Sequence, residues 1–211
     1  MQWTLVIPVK PLSRAKSRLS DTAADLLRPG LALAFAQDTV AAALACPAVK
    51  DVAVVTDDAL AGRELGALGA HIVSDEPHGG LNAALAHAAA VVRSARPESA
   101  VAALNADLPA LRPLELARVL EAAMEFPRAF LPDAAAIGTT LLAAREGWEL
   151  RPAFGMDSRA RHRTSGAAEL VLDAVDSVRQ DVDTGADLRT ALALGVGPRT
   201  AQAARLLIPG Q

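Results

Sequence analysis

Apolar residues along this chain follow two rhythms. Brief runs dense in Val, Ile and Leu, bounded by turn or charged residues, occur at WTLVIPV (3–9), DVAVVT (51–56), AHIVSD (70–75) and AVAALN (100–105). Runs of that length and composition predict buried strands. Between them lie longer stretches with apolar positions at helical spacing: LALAFAQDTVAAALA (31–45), DALAGRELGALGA (58–70), LNAALAHAAAVVRSA (81–95) and PLELARVLEAAMEF (113–126). Pro29-Gly30 precedes the first of these, and Pro113 suits the first turn of the last. Strands and helices in alternation predict an α/β fold, a mostly parallel sheet with helices on both faces. From residue 128 the rhythm changes: RAFLPDAAAIGTTLLAA (128–144) predicts two strands joined by a turn, giving the sheet an antiparallel edge. DLRTALALGVG (187–197) and TAQAARLLIP (200–209) predict closing helices. No internal repeat, low-complexity tract or linker interrupts the pattern, so the expectation is a single domain over residues 1–211.

Composition narrows the class. Of the 211 residues 52% are hydrophobic, too many for a disordered chain, and only 3% are aromatic. Alanine supplies much of the apolar count, which predicts a core of small aliphatic side chains on closely packed helices. No apolar run approaches the roughly 18 residues of a membrane span. The opening MQWTLVIPVK has no basic leader and reads as a strand, not a signal peptide. Cys46 is the sole cysteine, which excludes an intrachain disulfide and suits a reducing cytoplasm. A net charge of -3 and a pI near 5.8 argue against broad nucleic-acid binding.

Against that mildly acidic balance, IPVKPLSRAKSRLS (7–20) gathers Lys10, Arg14, Lys16 and Arg18 with no acid before Asp21. Ligands of open α/β sheets bind beyond the carboxyl ends of the strands. Several predicted strands here end in polar clusters: Lys10 to Arg18, Thr56-Asp57-Asp58, Ser74-Asp75-Glu76 and Asn105-Ala106-Asp107. Together they read as the rim of one site. Cations on a loop after a strand suit a polyanion such as a nucleoside triphosphate; the ordinary alternative is a solvated, salt-bridged loop. The segment lacks the glycines of a P-loop or a Rossmann turn, so side chains would have to do more of the binding than a backbone cradle.

Acids come next. LNADLPAL sets Asp107 at a strand end ahead of Pro109, and RQDVDTGADL sets Asp181 and Asp183 two residues apart, on one side of an extended chain. Hard carboxylates are the expected ligands of Mg²⁺, which takes one or two of them along with phosphate oxygens. A helix N-cap is the structural alternative for Asp183, and a turn-forming role for Asp107. HGGLNAALAHA offers Gly79-Gly80, where a ligand can approach the backbone, and Asn82, whose amide can read a base edge; a plain turn explains it equally well. IGTTLL and FGMDSRARHRTSG bring hydroxyls, glycine amides and cations that suit a small phosphorylated acid. The alternative for the second is a capped helix with exposed cations, and His162 within it reads as a surface or helix-end histidine without a role.

In this order the motifs resemble one family. IPVKPLSRAKSRLS, VVTDD, GGLNAAL, ADLPAL, GTTLL, FGMDSRARH and DVDTGADL, from residue 7 to about 188, are similar to the guanylyltransferases of coenzyme F420 biosynthesis, which activate phosphoenolpyruvate or 2-phospho-L-lactate with GTP. The opening segment and FGMDSRARH are the most specific pieces; ADLP and the DVDT-type motif recur among other nucleotidyltransferases of the fold. The resemblance implies a nucleotide-diphospho-sugar-transferase-like fold. It implies Thr139, Gly155 and Ser158 as ligands of the three-carbon acid, the first alignable also on Thr140. It further implies Asp107, Asp181 and Asp183 around Mg²⁺, Lys10, Lys16 and Arg18 at the GTP phosphates as the catalytic cations, and Gly80 and Asn82 near the base. Ala106, where many relatives have glycine, and Gly185, where proline is common, depart from the pattern. Phosphoenolpyruvate is the expected acid by family analogy, since the alanine- and arginine-rich composition suits a GC-rich bacterial genome. The expected partners are therefore GTP and a phosphorylated acid; the sequence leaves a homodimer open. Two rivals share these residues: a cytidylyl- or molybdopterin-type nucleotidyltransferase, which usually opens with a glycine-rich loop absent here, and a noncatalytic GTP-binding domain, which would not need the retained acids.

Overall fold

Six of the apolar runs and one short added strand pair into one sheet. In the computed structural model, which describes residues 2–14, 27–76 and 78–206, the strand order is β3-β2-β1-β4-β6-β5-β7. The strands are β1 (Trp3–Pro8), β2 (Val49–Val55), β3 (His71–Val73), β4 (Ala100–Leu104), β5 (Arg128–Pro132), β6 (Thr139–Ala144) and β7 (Ala168–Glu169). The side chain of Arg14, and all of Lys16 and Arg18, lie outside the described residues. Alternate side chains on each strand enter opposite faces, as a pleated backbone requires. Leu5, Ile7, Val52, Val54, Leu104, Leu131 and Leu141 join one apolar cluster, while Val6, Ala53, Val55, Val101, Phe130 and Leu142 join another. The first cluster is covered by α1 (Arg28–Leu44), α2 (Ala59–Gly66) and α4 (Pro113–Ala123), and the second chiefly by α3 (Leu81–Ala95). Alanines at the contacts let the helices lie close to the sheet, as the composition suggests.

Two expectations need correction. AHIVSD forms a strand, but not a buried one: β3 is an edge, with His71 exposed and Ile72 43% exposed, because β2 alone pairs with it. The reversed strand is not at an edge either. β6 runs antiparallel between β4 and β5, and β5 then pairs in parallel with β7. The physical reason is the handed crossover from β4 through α4, which sets β5 one place out; the short 133–138 turn then folds β6 back into the gap. Finally, the helix offered as the alternative for FGMDSRARHRTSG is present as α5 (Ser158–Thr164), whereas α6 (Asp176–Arg179) and β7 are too short for a periodic signal and give no hint in the sequence. The closing helices are α7 (Gly185–Leu194) and α8 (Pro198–Arg205). Among the described residues, no helix is long and apolar enough to cross a membrane.

Candidate active site

The chain reverses its direction of sheet growth between β1 and β4, and the crevice there is where ligands of such sheets bind. A cavity of about 670 Å³ opens at that place, in the range of small-molecule sites. Its walls come from the segment after β1 (Val9, Lys10, Leu12), the turn after β4 (Asn105, Ala106, Asp107) and the β5–β6 turn (Asp133, Ile137, Gly138, Thr139). Phe154 to Ser158 before and at the start of α5, and Asp181 and Asp183 ahead of α7, complete them. Because β6 is reversed, its first residue reaches the same edge as the last residues of β1 and β4; Asn105 N–H donates to the Thr140 carbonyl at 2.9 Å.

The acidic wall is held by main-chain and hydroxyl contacts. The Thr39 hydroxyl, fully buried on α1, donates to the Ala106 carbonyl (3.2 Å) and accepts from Leu108 N–H (3.1 Å). It thus grips the turn on both sides of Asp107. The Asp107 carbonyl accepts from Val182 N–H at 3.0 Å, which ties the two acid-bearing segments together. Val182 is buried against Leu31, Phe35 and Leu188, so its neighbours Asp181 and Asp183 face the other way, onto the cavity. The helix-cap alternative for Asp183 does not apply. Thr184 is the cap of α7, and it shares a reciprocal capping box with Asp187. Among the described residues, no three acidic, imidazole or thiol side chains converge closely enough to hold an ion alone. The donor set, carboxylate oxygens on one wall, fits a hard divalent cation that takes its remaining ligands from phosphate and water.

The opposite wall is polar but carries no carboxylate beyond Asp133 and Asp157. Thr139 and Ser158 are buried, with relative exposures of 4% and 2%. Gly155 sits at a φ of 111°, a left-handed conformation that favours glycine, with the Arg161 guanidinium 3.1 Å from where a Cβ would be. The cations of this motif are not merely exposed. Arg159 pairs with Glu169 at 2.6 Å and donates to the Ala136 carbonyl; Arg163 also pairs with Glu169, and Arg161 donates to the Phe154 carbonyl. They bind α5 to β7 and to the β5–β6 turn, and hold the Glu169 carboxyl below the ordinary range, chiefly through the Arg159 hydrogen bond.

His162 departs most from expectation. It is fully buried, packed at 5.0 Å edge-on to Phe154 and 5.7 Å from Phe130. Its Nδ1 lies 2.9 Å from the Thr139 hydroxyl, and its Nε2 accepts from Ala153 N–H at 3.0 Å. Burial above all, then the nearby charges of Arg128 and Arg161, push its pKa down to about 4. Sequence reading missed Thr39 and His162 as supports of the site. The available signal was a short polar patch, Gln37-Asp38-Thr39, in an otherwise apolar helical run, and one histidine inside the motif.

Gly80 and Asn82 flank the cavity without lining it. Gly80 starts α3 at a φ of 86° with open space where a Cβ would be, and Leu81 beside it lines the cavity. The Asn82 amide is engaged at both ends by the main chain of Phe154, donating to its carbonyl (3.1 Å) and accepting from its N–H (2.7 Å). The acids of VVTDD and of the β3 ending do not join the rim. Asp58 caps α2 and accepts from Leu12 N–H at 2.9 Å, which lowers its pKa, and Asp57 accepts from Asp75 N–H.

A family described as guanylyl transferase CofC-like matches residues 3–207. The chain belongs to the CofC guanylyltransferase family. One CofC-type relative, the phosphoenolpyruvate guanylyltransferase of Streptomyces coelicolor, is 84% identical over 212 aligned residues, covering 100% of both chains. Solved structures extend the fold beyond the family. A Desulfovibrio desulfuricans protein assigned as a nucleotide-diphospho-sugar transferase superposes with a TM-score of 0.61 at 16% identity, covering 92% of this chain and 97% of that one. The Mycobacterium tuberculosis protein Rv0371c, solved in complex with manganese, gives 0.55 at 22% identity, over 92% and 98%. The mixed, mostly parallel sheet of this CofC-family chain is thus the nucleotide-diphospho-sugar-transferase-like architecture.

Proposed function

We propose that this protein transfers the guanylyl group of GTP to the phosphate of phosphoenolpyruvate in coenzyme F420 biosynthesis, and that the cavity at the β1–β4 reversal is where it does so. The observation that carries the reading is the makeup of that cavity: a lysine at its mouth, three carboxylates on one wall, and buried hydroxyls with a glycine on the other. Family membership supplies the guanylyl chemistry, and the 84%-identical Streptomyces coelicolor relative favours phosphoenolpyruvate over 2-phospho-L-lactate.

In this reading an oxygen of the substrate phosphate attacks the α-phosphorus of GTP. A new phosphoanhydride bond forms, the bond between the α- and β-phosphates breaks, and pyrophosphate leaves. The nucleophile is already an anion, so no general base is needed, which fits a site whose buried histidine is neutral. Lys10 offsets charge on the nucleotide phosphates, and Lys16 and Arg18 are assigned the same task from sequence. Thr139, Ser158 and the Gly155 main chain orient the acid. Two unit charges 4 Å apart repel by roughly 4 kcal/mol at an effective dielectric near 20, so bringing two polyanions together needs compensation. Asp107, Asp181 and Asp183 would hold a divalent cation, Mg²⁺ foremost. Once bound it neutralises the facing phosphates and the departing pyrophosphate.

The test is a side-by-side assay of phosphoenolpyruvate, 2-phospho-L-lactate and 3-phosphoglycerate with GTP, with products identified by mass. The expected result is a guanylylated phosphoenolpyruvate and stoichiometric pyrophosphate. Turnover should cease in excess chelator and return when Mg²⁺ or Mn²⁺ is restored; undiminished turnover in chelator would sink the assignment of the acids.

A further inference from the structure

An amide N–H can only donate, so the Ala153 N–H at 3.0 Å from His162 Nε2 fixes a lone pair on that nitrogen. The ring is buried between Phe130 and Phe154, which above all keeps it neutral, and the charges of Arg128 and Arg161 act in the same direction. A neutral ring with a lone pair on Nε2 carries its proton on Nδ1. That Nδ1–H lies 2.9 Å from the Thr139 oxygen, so the hydroxyl accepts there. The hydroxyl proton is therefore excluded from the imidazole side. Thr139 lies on the cavity wall, and the cavity is the direction left to it.

We propose that His162 is a positioning residue that sets the polarity of the Thr139 hydroxyl, making it an obligate donor toward an anionic oxygen of the phosphorylated acid. The inference rests on the assignment of Thr139 to the acid's subsite. A hydroxyl free to rotate would serve a donor or an acceptor equally. One whose proton is pointed inward selects carboxylate or phosphate oxygen and disfavours a group that can only donate. The ring thus acts on the substrate without touching it, and its own neutrality keeps an additional positive charge out of the cavity.

Two measurements decide the matter. Long-range proton–nitrogen correlation spectra of histidine-labelled protein read the tautomer directly, and among the four histidines only His162 is buried. The expected signature is a neutral ring protonated on Nδ1 across pH 6 to 8. A proton on Nε2, or a ring titrating in that interval, overturns the proposal, and this reading needs no variant that might misfold. Steady-state kinetics then separate polarity from mere packing. His162→Asn puts an amide N–H where Nδ1–H was, whereas His162→Gln restores only an acceptor near Ala153. The Asn variant is expected to keep KM for the acid within about threefold. The Gln variant should raise it about tenfold, with KM for GTP unchanged in both. Equal KM values in the two variants, with Thr139→Val raising KM for the acid, overturn the role of His162 alone. An unchanged KM in Thr139→Val overturns the subsite assignment instead.

Discussion

Asp107 owes its position to a residue 68 places earlier in the chain. Thr39 bonds the peptide groups on both sides of it, so the carboxylate is aimed by a hydroxyl that never meets substrate. Thr39→Val keeps the shape but leaves the Leu108 N–H and the Ala106 carbonyl without that partner. The expected cost is about 1–3 kcal/mol in a urea titration, with kcat lowered roughly tenfold as the turn relaxes. Asp107→Asn should leave the melting temperature nearly unchanged and lower kcat/KM by about 100-fold or more in a pyrophosphate-release assay. The two variants separate aim from chemistry. The carboxylates were visible in the sequence because Asp at the end of an apolar run, ahead of proline or two apart, is a local signal. Thr39 and His162 were not, since each draws its importance from partners far along the chain, at residues 106 and 108 for one and residue 139 for the other.

The long elements were legible because their period exceeds their noise. α3 spans Leu81–Ala95, the very stretch the pattern marks, and β1, β2 and β4 fall where the apolar runs do. The pairing order was not legible, because nothing local says that β6 must slot between β4 and β5. That slot depends on the 133–138 turn, which Asp133 closes by accepting from Ile137 N–H (3.0 Å) and Gly138 N–H (2.8 Å). A Cβ on residue 138 would come within 2.3 Å of the Asp133 carboxylate. Gly138→Ala is therefore expected to open the turn, displace Thr139 and raise KM for the phosphorylated acid several-fold, with KM for GTP little changed. One residue before Thr39, Asp38 on α1 accepts from Arg199 and Thr200 N–H at the first turn of α8. Asp38→Ala should cost about 1–2 kcal/mol of unfolding free energy, measured by urea, and leave kcat intact.

On the scale of the whole molecule, acid should weaken the fold in two steps. The unfolded chain protonates His162 near pH 6.5 and the folded chain only near 4, so stability falls as pH drops through that interval, by roughly 3 kcal/mol in all. Asp51, held down by Arg96, and Glu169, held down by Arg159, contribute fully above the ordinary carboxylate range and lose their contribution below it. Urea midpoints across pH 7.5 to 3 should show both slopes, and His162→Asn should remove the upper one alone. A midpoint that stays flat between pH 6.5 and 4.5 would contradict the buried, neutral ring.

Strand β6 is hydrogen-bonded to β4 and to β5 from Leu141 onward, and Thr139 opens it, paired with Pro132 of β5 and bonded to the buried His162 ring. The Gly155–Asp157 approach to α5 is a turn with no such bracing on either side. Natural or laboratory selection for a different three-carbon acid therefore has unequal freedom: residue 139 can change its chemistry but hardly its place. Drift in substrate preference among descendants of this enzyme should be sought first at Met156 and Asp157, which line the cavity between the conformationally fixed Gly155 and the buried Ser158.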